Sequence, residues 1–282
     1  MPKVSIIIPC FNLGQYIDEA VDSVLQQTFH DFEIIIVNDG SSDDYTNKLL
    51  DSFNRPKTKV ITIANNGLGN SRNVGIKASS GEFILPLDAD DIISPTYIEK
   101  ALDVFTKKPG VKIVYCKAEL FDKQNGLWEM PDFDFDLMLQ KNLIFCSAFF
   151  RRADYNKTKG YATKMSYMGW EDWNFWLSLI ELDVEHAEKA AYRIPEVLFY
   201  YRIRNVSMIR VLDENKDNIL RREIFLDHIN LYAKYFENPI SLFYRLQRLE
   251  NNYDKLNRNY IGLLNSRALK LGRILLKPFK KF

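Results

Sequence analysis

Short β-branched runs, each stopping at a polar cluster and each separated from the next by a helix-spaced segment, constrain this chain more than any other feature. Val4 to Ile8 is such a run and stops at Pro9. Glu33 to Val37 stops at Asn38-Asp39-Gly40, and Glu82 to Leu87 runs into Asp88-Ala89-Asp90-Asp91. Val60 to Ile63 and Val111 to Tyr115 repeat the pattern. Runs this short, and apolar on both faces, are strands buried between two layers. Between them Tyr16, Ile17, Ala20, Val21, Val24 and Leu25 recur at helical spacing. Thr46 to Phe53 and Asn70 to Ala78 predict two further helices, and Ser94-Pro95 predicts a fourth, with Ser94 as cap and Pro95 at its first position. Strand and helix in alternation predict an α/β fold with a mixed, mostly parallel sheet flanked by helices. Ligands of such sheets bind beyond the carboxyl ends of the strands, where Asn12, Asp39 and Asp88 to Asp91 gather.

The pattern loosens over residues 116–215. Asp132 to Asp136 alternates acid with Phe and reads as a mobile acidic loop. Leu143 to Phe150 and Val197 to Arg202 predict strands, and Trp170 to Leu182 predicts a helix. From about residue 217 the chain reads as helix only. Leu242, Leu246, Leu249, Tyr253, Leu256, Tyr260 and Leu263 form a heptad seam, which serves either a helix packed on its own domain or a dimeric coiled coil. Beyond it Arg267, Lys270, Arg273, Lys277, Lys280 and Lys281 face Leu271, Ile274, Leu275 and Phe279, with no acid among them. That is a basic amphipathic tail, either solvated or bound to an anionic membrane surface.

Composition removes several classes. Lys+Arg is 38 against Asp+Glu 37, so no overall field recruits nucleic acid. Cys10, Cys116 and Cys146 form no CxxC, and the three histidines are far apart, so neither a disulfide framework nor a zinc site is indicated and a cytoplasmic location is expected. No run reaches the length of a membrane-spanning helix.

Chemistry concentrates at the strand ends. Asp88 and Asp90, one residue apart, suit a hard divalent cation such as Mn²⁺ or Mg²⁺, which bridges to phosphate oxygens. Asp39 can accept from a ribose hydroxyl or a base N–H; Phe11 either stacks on a base or packs in the core; Arg72 either meets a nucleotide or makes a surface ion pair. The turn after the first strand, Pro9 to Gly14, lacks GxGxxG, which argues against a dinucleotide-dependent dehydrogenase. No GxxxxGK[ST] occurs, and no Gly-rich basic loop of a sugar nucleotidyltransferase follows the first strand.

The succession SIIIPCFN, QQTF, EIIIVNDGSSD, GLGNSRNVGI and GEFILPLDADD resembles the N-terminal half of the family 2 glycosyltransferases of the GT-A fold, over roughly residues 3–115 and more loosely to about 210. The resemblance implies an inverting transferase using a nucleotide-sugar, usually a UDP-sugar. It implies a catalytic domain over 1–215, with a nucleotide-binding half (1–115) and an acceptor-binding half (116–215), followed by a helical extension over 216–282. Carried over by position, Pro9 and Phe11 line the base pocket with Asn12, Asp39 bonds the base, and Asn66, Arg72, Asp88 and Ala89 hold the nucleotide-sugar. Asp90, with Asp88, holds the metal. Gly169-Trp170-Glu171-Asp172-Trp173 resembles the family's acceptor-side motif, with Asp172 as general base and Glu171 in support; without the resemblance both are simply acids at a helix start. Trp170 and Trp173 either stack on sugar or pack in the core. Where relatives carry Tyr-Arg-x-His, this chain has Tyr201-Arg202-Ile203-Arg204, so Arg204 is expected on the diphosphate and metal dependence is expected to weaken. The tail implies a glycan or lipid-linked acceptor at the inner face of a cell membrane, as in bacterial surface polysaccharide assembly. The competing expectation is an inactive nucleotide-sugar-binding or scaffold protein.

Overall fold

The first strand, β1 (Val4–Cys10), is buried at every position and pairs in parallel with β2 (Phe32–Asp39) on one side and β4 (Phe83–Pro86) on the other. β3 (Thr58–Ile63) extends the parallel set beyond β2. The helices between them, α1 (Gly14–Leu25), α2 (Asp44–Asp51) and α3 (Leu68–Ala78), follow the predicted spacing. α3 lies directly on the sheet because residue 75 is glycine: a Cβ there would sit 2.4 Å from Cγ2 of Ile7. The computed structural model describes residues 2–204, 213–236 and 238–266, so the basic stretch Arg267 to Lys281 lies outside the described residues.

After β4 come β5 (Ile92–Ile93), α4 (Tyr97–Lys107), β6 (Ile113–Asp122), β7 (Gly126–Trp128), α5 (Phe135–Met138), β8 (Phe149–Arg151) and α6 (Arg152–Tyr155). Next are α7 (Glu171–Ile180), a 3₁₀ stretch over Glu181–Lys189, β9 (Ala191–Ile203), α8 (Glu214–Asp227), α9 (Ile229–Tyr235) and α10 (Pro239–Asn265). Among the described residues nine strands form one sheet in the order β3-β2-β1-β4-β8-β6-β9-β5, with β7 on β6. β8 runs antiparallel between β4 and β6, while β6 and β9 are parallel. The architecture is a mixed, mostly parallel α/β sheet, and the carboxyl ends of β1, β2 and β4 share one edge.

Local expectations are corrected in three places. α4 starts at Tyr97, not Pro95, because the Ser94 N–H donates to the Leu198 carbonyl and prolongs the β5–β9 pairing. The acidic stretch runs into a helical turn: Asp134 caps α5 by accepting from the Leu137 N–H, and Phe135 is buried. Leu143 to Ala148 is buried but irregular, and only Phe149–Arg151 is strand. The first compact unit runs to Ile229 and a second begins at Asn230, so α8 belongs to the first. Its side chains hold it there: Asp217 accepts from Trp170 Nε1 at 2.8 Å, Asp227 from Asn174 Nδ2 at 2.9 Å, and Glu223 from the Ser166 N–H at 3.1 Å. Buried His228 closes the unit with Nε2 2.9 Å from the Asn174 carbonyl.

Candidate active site

The polar ends of β1 and β2 are fixed first. Asn12 takes a left-handed φ of 55°, and its side-chain carbonyl accepts from the Ser42 and Asp43 N–H groups at 2.7 and 3.1 Å. Its amide donates to Ser42 Oγ. Asn12 therefore staples the loop after β1 to the loop after β2, and its polar atoms are spent on the protein. Asp39 is buried and accepts from the Asn66 N–H at 3.0 Å, which ties the end of β2 to the approach of α3. Pro9 is buried within β1, whereas Phe11 is 43% exposed, so the core alternative for Phe11 is excluded and a free ring faces the sheet edge.

The acidic loop after β4 is held by arginines. Arg72 on α3 is 1% exposed and bridges the two halves of the unit: Nη2 donates to Asp88 Oδ1 and Nη1 to Glu171 Oε1, both at 2.8 Å. It is thus neither on the surface nor free to meet a nucleotide with these two nitrogens. The Cys146 thiol donates to the other Asp88 oxygen at 3.3 Å. Ala89 is fully buried. Arg204 Nε lies 2.5 Å from Asp90 Oδ2. Arg202 grips the same loop from β9, with Nε on the Asp90 carbonyl at 2.8 Å and its backbone N–H on Asp91 Oδ1 at 2.9 Å. Burial raises the Asp90 and Asp91 carboxyls above their usual range, and the negative charge of their neighbours adds to it.

Across the bridge, Glu171 and Asp172 open α7. Glu171 also accepts from the Gly169 N–H at 3.1 Å, so it shapes its own loop. Asp172 is buried and accepts from Asn142 Nδ2 at 3.1 Å and from the Trp173 N–H at 2.7 Å. Burial, then the charge of Glu171, pushes its carboxyl up to about 7, against the opposing pull of Arg72. Trp173 is a core residue whose Nε1 donates to the Met138 carbonyl at 2.9 Å. A small open cleft lies beside Glu171, lined by Asn66, Gly67, Asn70, Met165 and Met168. Gly69 lets this loop close: a Cβ there would stand 2.3 Å from the Ala162 carbonyl oxygen.

The structure thus brings Arg72, Asp88, Glu171 and Asp172 into one network, with Asp90 and Arg204 beside it and Asp39 and Asn66 paired at the next strand end. Asn142, Cys146, Arg202 and Asp217 also serve it, and spacing along the chain gives no sign of the first, second and last. Arg202 had a signal, its place two residues before Arg204.

The model of glycosyl transferase family 2 matches residues 5–166. The chain is similar to an uncharacterized glycosyltransferase of Haemophilus influenzae, 27% identical over 290 residues, 96% of this chain and 87% of that one. It is similar to the chondroitin synthase of Escherichia coli, 30% identical over 198 residues, 68% of this chain but 29% of the synthase. Among solved structures, S. aureus TarS 1–349 in complex with UDP-GlcNAc superposes with a TM-score of 0.64 at 21% identity, covering 81% of this chain and 67% of that one. At that identity the likeness shows the fold.

Proposed function

The chain belongs to glycosyl transferase family 2, and from that premise we propose that it moves a sugar, with inversion, from a UDP-sugar to a hydroxyl of a glycan or lipid-linked acceptor in surface polysaccharide assembly. The observation that carries this reading is Asp172: a buried carboxylate at a helix start, held by Asn142 and pushed to about 7, where a general base works best. The acceptor hydroxyl gives its proton to Asp172 as its oxygen attacks the anomeric carbon. The bond from that carbon to the diphosphate oxygen breaks on the opposite face, and the nucleoside diphosphate leaves. The relatives that make chondroitin and the UDP-GlcNAc complex of the similar fold support the substrate classes.

Phe11 stacks on the base, Pro9 backs it, and Asp39 with the Asn66 backbone receives the base and ribose. Asn12 acts by holding this pocket's two loops together. Asp90 and Asp88 are the residues that would hold Mn²⁺ or Mg²⁺: burial raises the Asp90 and Asp91 carboxyls, and the charge of Asp88 adds to it. Such a cation would offset the charge of the leaving diphosphate. Arg204 already supplies one positive charge at Asp90 and extends it to the diphosphate, so binding survives without metal at lower affinity. The basic sequence from Arg267 to Lys281 supports a peripheral position at an anionic membrane face.

The test is a thermal-shift panel of nucleoside diphosphates and nucleotide-sugars with and without Mn²⁺, on the wild type and Asp172→Asn. A ligand of the native state raises the midpoint by mass action. The expected result is a shift with UDP and one UDP-sugar in both proteins, with transfer lost only in the variant. Transfer unaffected by Asp172→Asn removes the assigned base; no shift with any nucleotide removes the enzyme reading in favour of a scaffold.

A further inference from the structure

Every described side chain of α10 from Tyr244 to Leu263 is exposed. Most helical stability in proteins comes from packing an amphipathic face, and the apolar residues of this helix are not scattered. Leu246, Leu249, Tyr253, Leu256, Tyr260 and Leu263 succeed one another at spacings of three and four, and each is between 48% and 68% exposed. These are the a and d positions of a heptad, a stripe about 26 Å long at 1.5 Å per residue. Leu249, Leu256 and Leu263 fill every d position of that stripe, the d choice of two-stranded parallel coils.

The flanks identify the occupant. Arg245 takes the g position before Leu246, and Glu250 the e position after Leu249. In a parallel pair in register, g of one helix meets e of the other five residues on. Two copies of α10 therefore set Arg245 against Glu250 of the partner subunit, twice by symmetry. The next flanking positions pair Asn252 with Asn257, so no like charges meet. The remaining charges, Arg248, Asp254, Lys255 and Arg258, lie away from the seam. A helix lying in a lipid surface would instead border its apolar stripe with basic residues; this one borders it with one residue of each sign, Arg245 and Glu250, and with asparagines. We propose that α10 is a homodimerisation helix, covered by α10 of a second copy in a parallel, in-register coiled coil keyed by Arg245 and Glu250.

Size-exclusion chromatography with light scattering on the full chain tests this. The expected mass is twice that of one chain, falling to one chain in Leu249→Glu/Leu256→Glu with transfer per chain retained. Arg245→Glu alone and Glu250→Arg alone should each raise the dissociation constant several-fold, and the two together should restore it. Cys10, Cys116 and Cys146 are buried, so Leu256→Cys offers an exposed thiol that faces itself only across a parallel seam; mild oxidation should cross-link it. A monomeric wild type overturns the proposal. So does a dimer that survives Leu249→Glu/Leu256→Glu, or one that Leu256→Cys fails to cross-link. Flotation with anionic vesicles that is lost in Leu249→Glu/Leu256→Glu, from a monomeric chain, would assign the stripe to lipid instead.

Discussion

The half of the catalytic unit that carries Asp39 and Asp88 and the half that carries Asp172 are put together in different ways. In the first, strands of seven and eight residues, buried at every position but Glu33, run side by side, and the polar residues sit where those strands end. Their positions are inherited from the backbone ladder. In the second, β7 and β8 have three residues each, and the core is aromatic: Phe150 meets Phe175 edge-on at 4.9 Å, and Tyr161 lies 4.2 Å from Phe175. There the site is located by single side-chain bonds from distant segments, Asn142 and Arg72 among them. A ladder spreads an error over many bonds, whereas a side-chain tether concentrates it in one.

The sharpest way to break that contrast is Arg72→Met. It strands two carboxylates around a buried gap, and breaking a buried pair of this kind costs about 3–5 kcal/mol. Ile36→Val, a deletion in the ladder half, should cost only about 0.5–1.5 kcal/mol. Urea unfolding of both variants makes the comparison, and near-equal losses would erase it. A second test uses pH. Asp172 holds its proton to about 7 in the folded chain, well above the ordinary carboxylate range. As pH rises through about 7, kcat/KM should rise, because the base becomes free. Over the range from the usual carboxylate pKa up to about 7, stability should fall, because the unfolded chain has already released that proton and the folded chain has not. Asp172→Asn should abolish the activity and flatten the stability slope; an unchanged slope would deny the shifted carboxyl. A third test is at Asp217. Asp217→Leu removes the acceptor for Trp170 Nε1 and should cost about 1–2 kcal/mol with a drop in kcat, leaving UDP affinity intact. Asp217→Asn keeps an accepting oxygen and should recover most of both.

The same division explains which features the chain made readable. Val4 to Ile8 and Glu33 to Val37 announce their strands because both faces are buried, and Asp39, Asp88 and Asp90 come at strand ends. Glu171 and Asp172 were readable as a pair, but Asn142 was not, because its partner lies thirty residues on, in space rather than in pattern. Arg72 was readable as a candidate cation of the strand-end cluster, but its bridge was not: nothing in its helix says that it faces two acids, one of them 99 residues away. The stretch from Asp132 to Asp136 misled because burial of Phe135 and the cap from Asp134 depend on the body they fold against. The start of α4 was displaced by pairing with β9, about a hundred residues later in the chain.

The closure of the catalytic unit at His228 has a consequence for how such chains recombine. α8 completes the first unit, and the chain leaves that unit just beyond it, between Ile229 and Asn230. A graft cut there carries its own finished interior, whereas a cut at residue 215 strips Asp217 and Asp227 from the start of α7, which bears Asp172. The two cuts should give an active cassette and an inactive one. The length shared with the E. coli chondroitin synthase, 198 residues out of a chain more than three times longer, is that of a portable module. Evolution can move the unit whole and exchange the helices attached behind it, trading one tether for another without touching the chemistry.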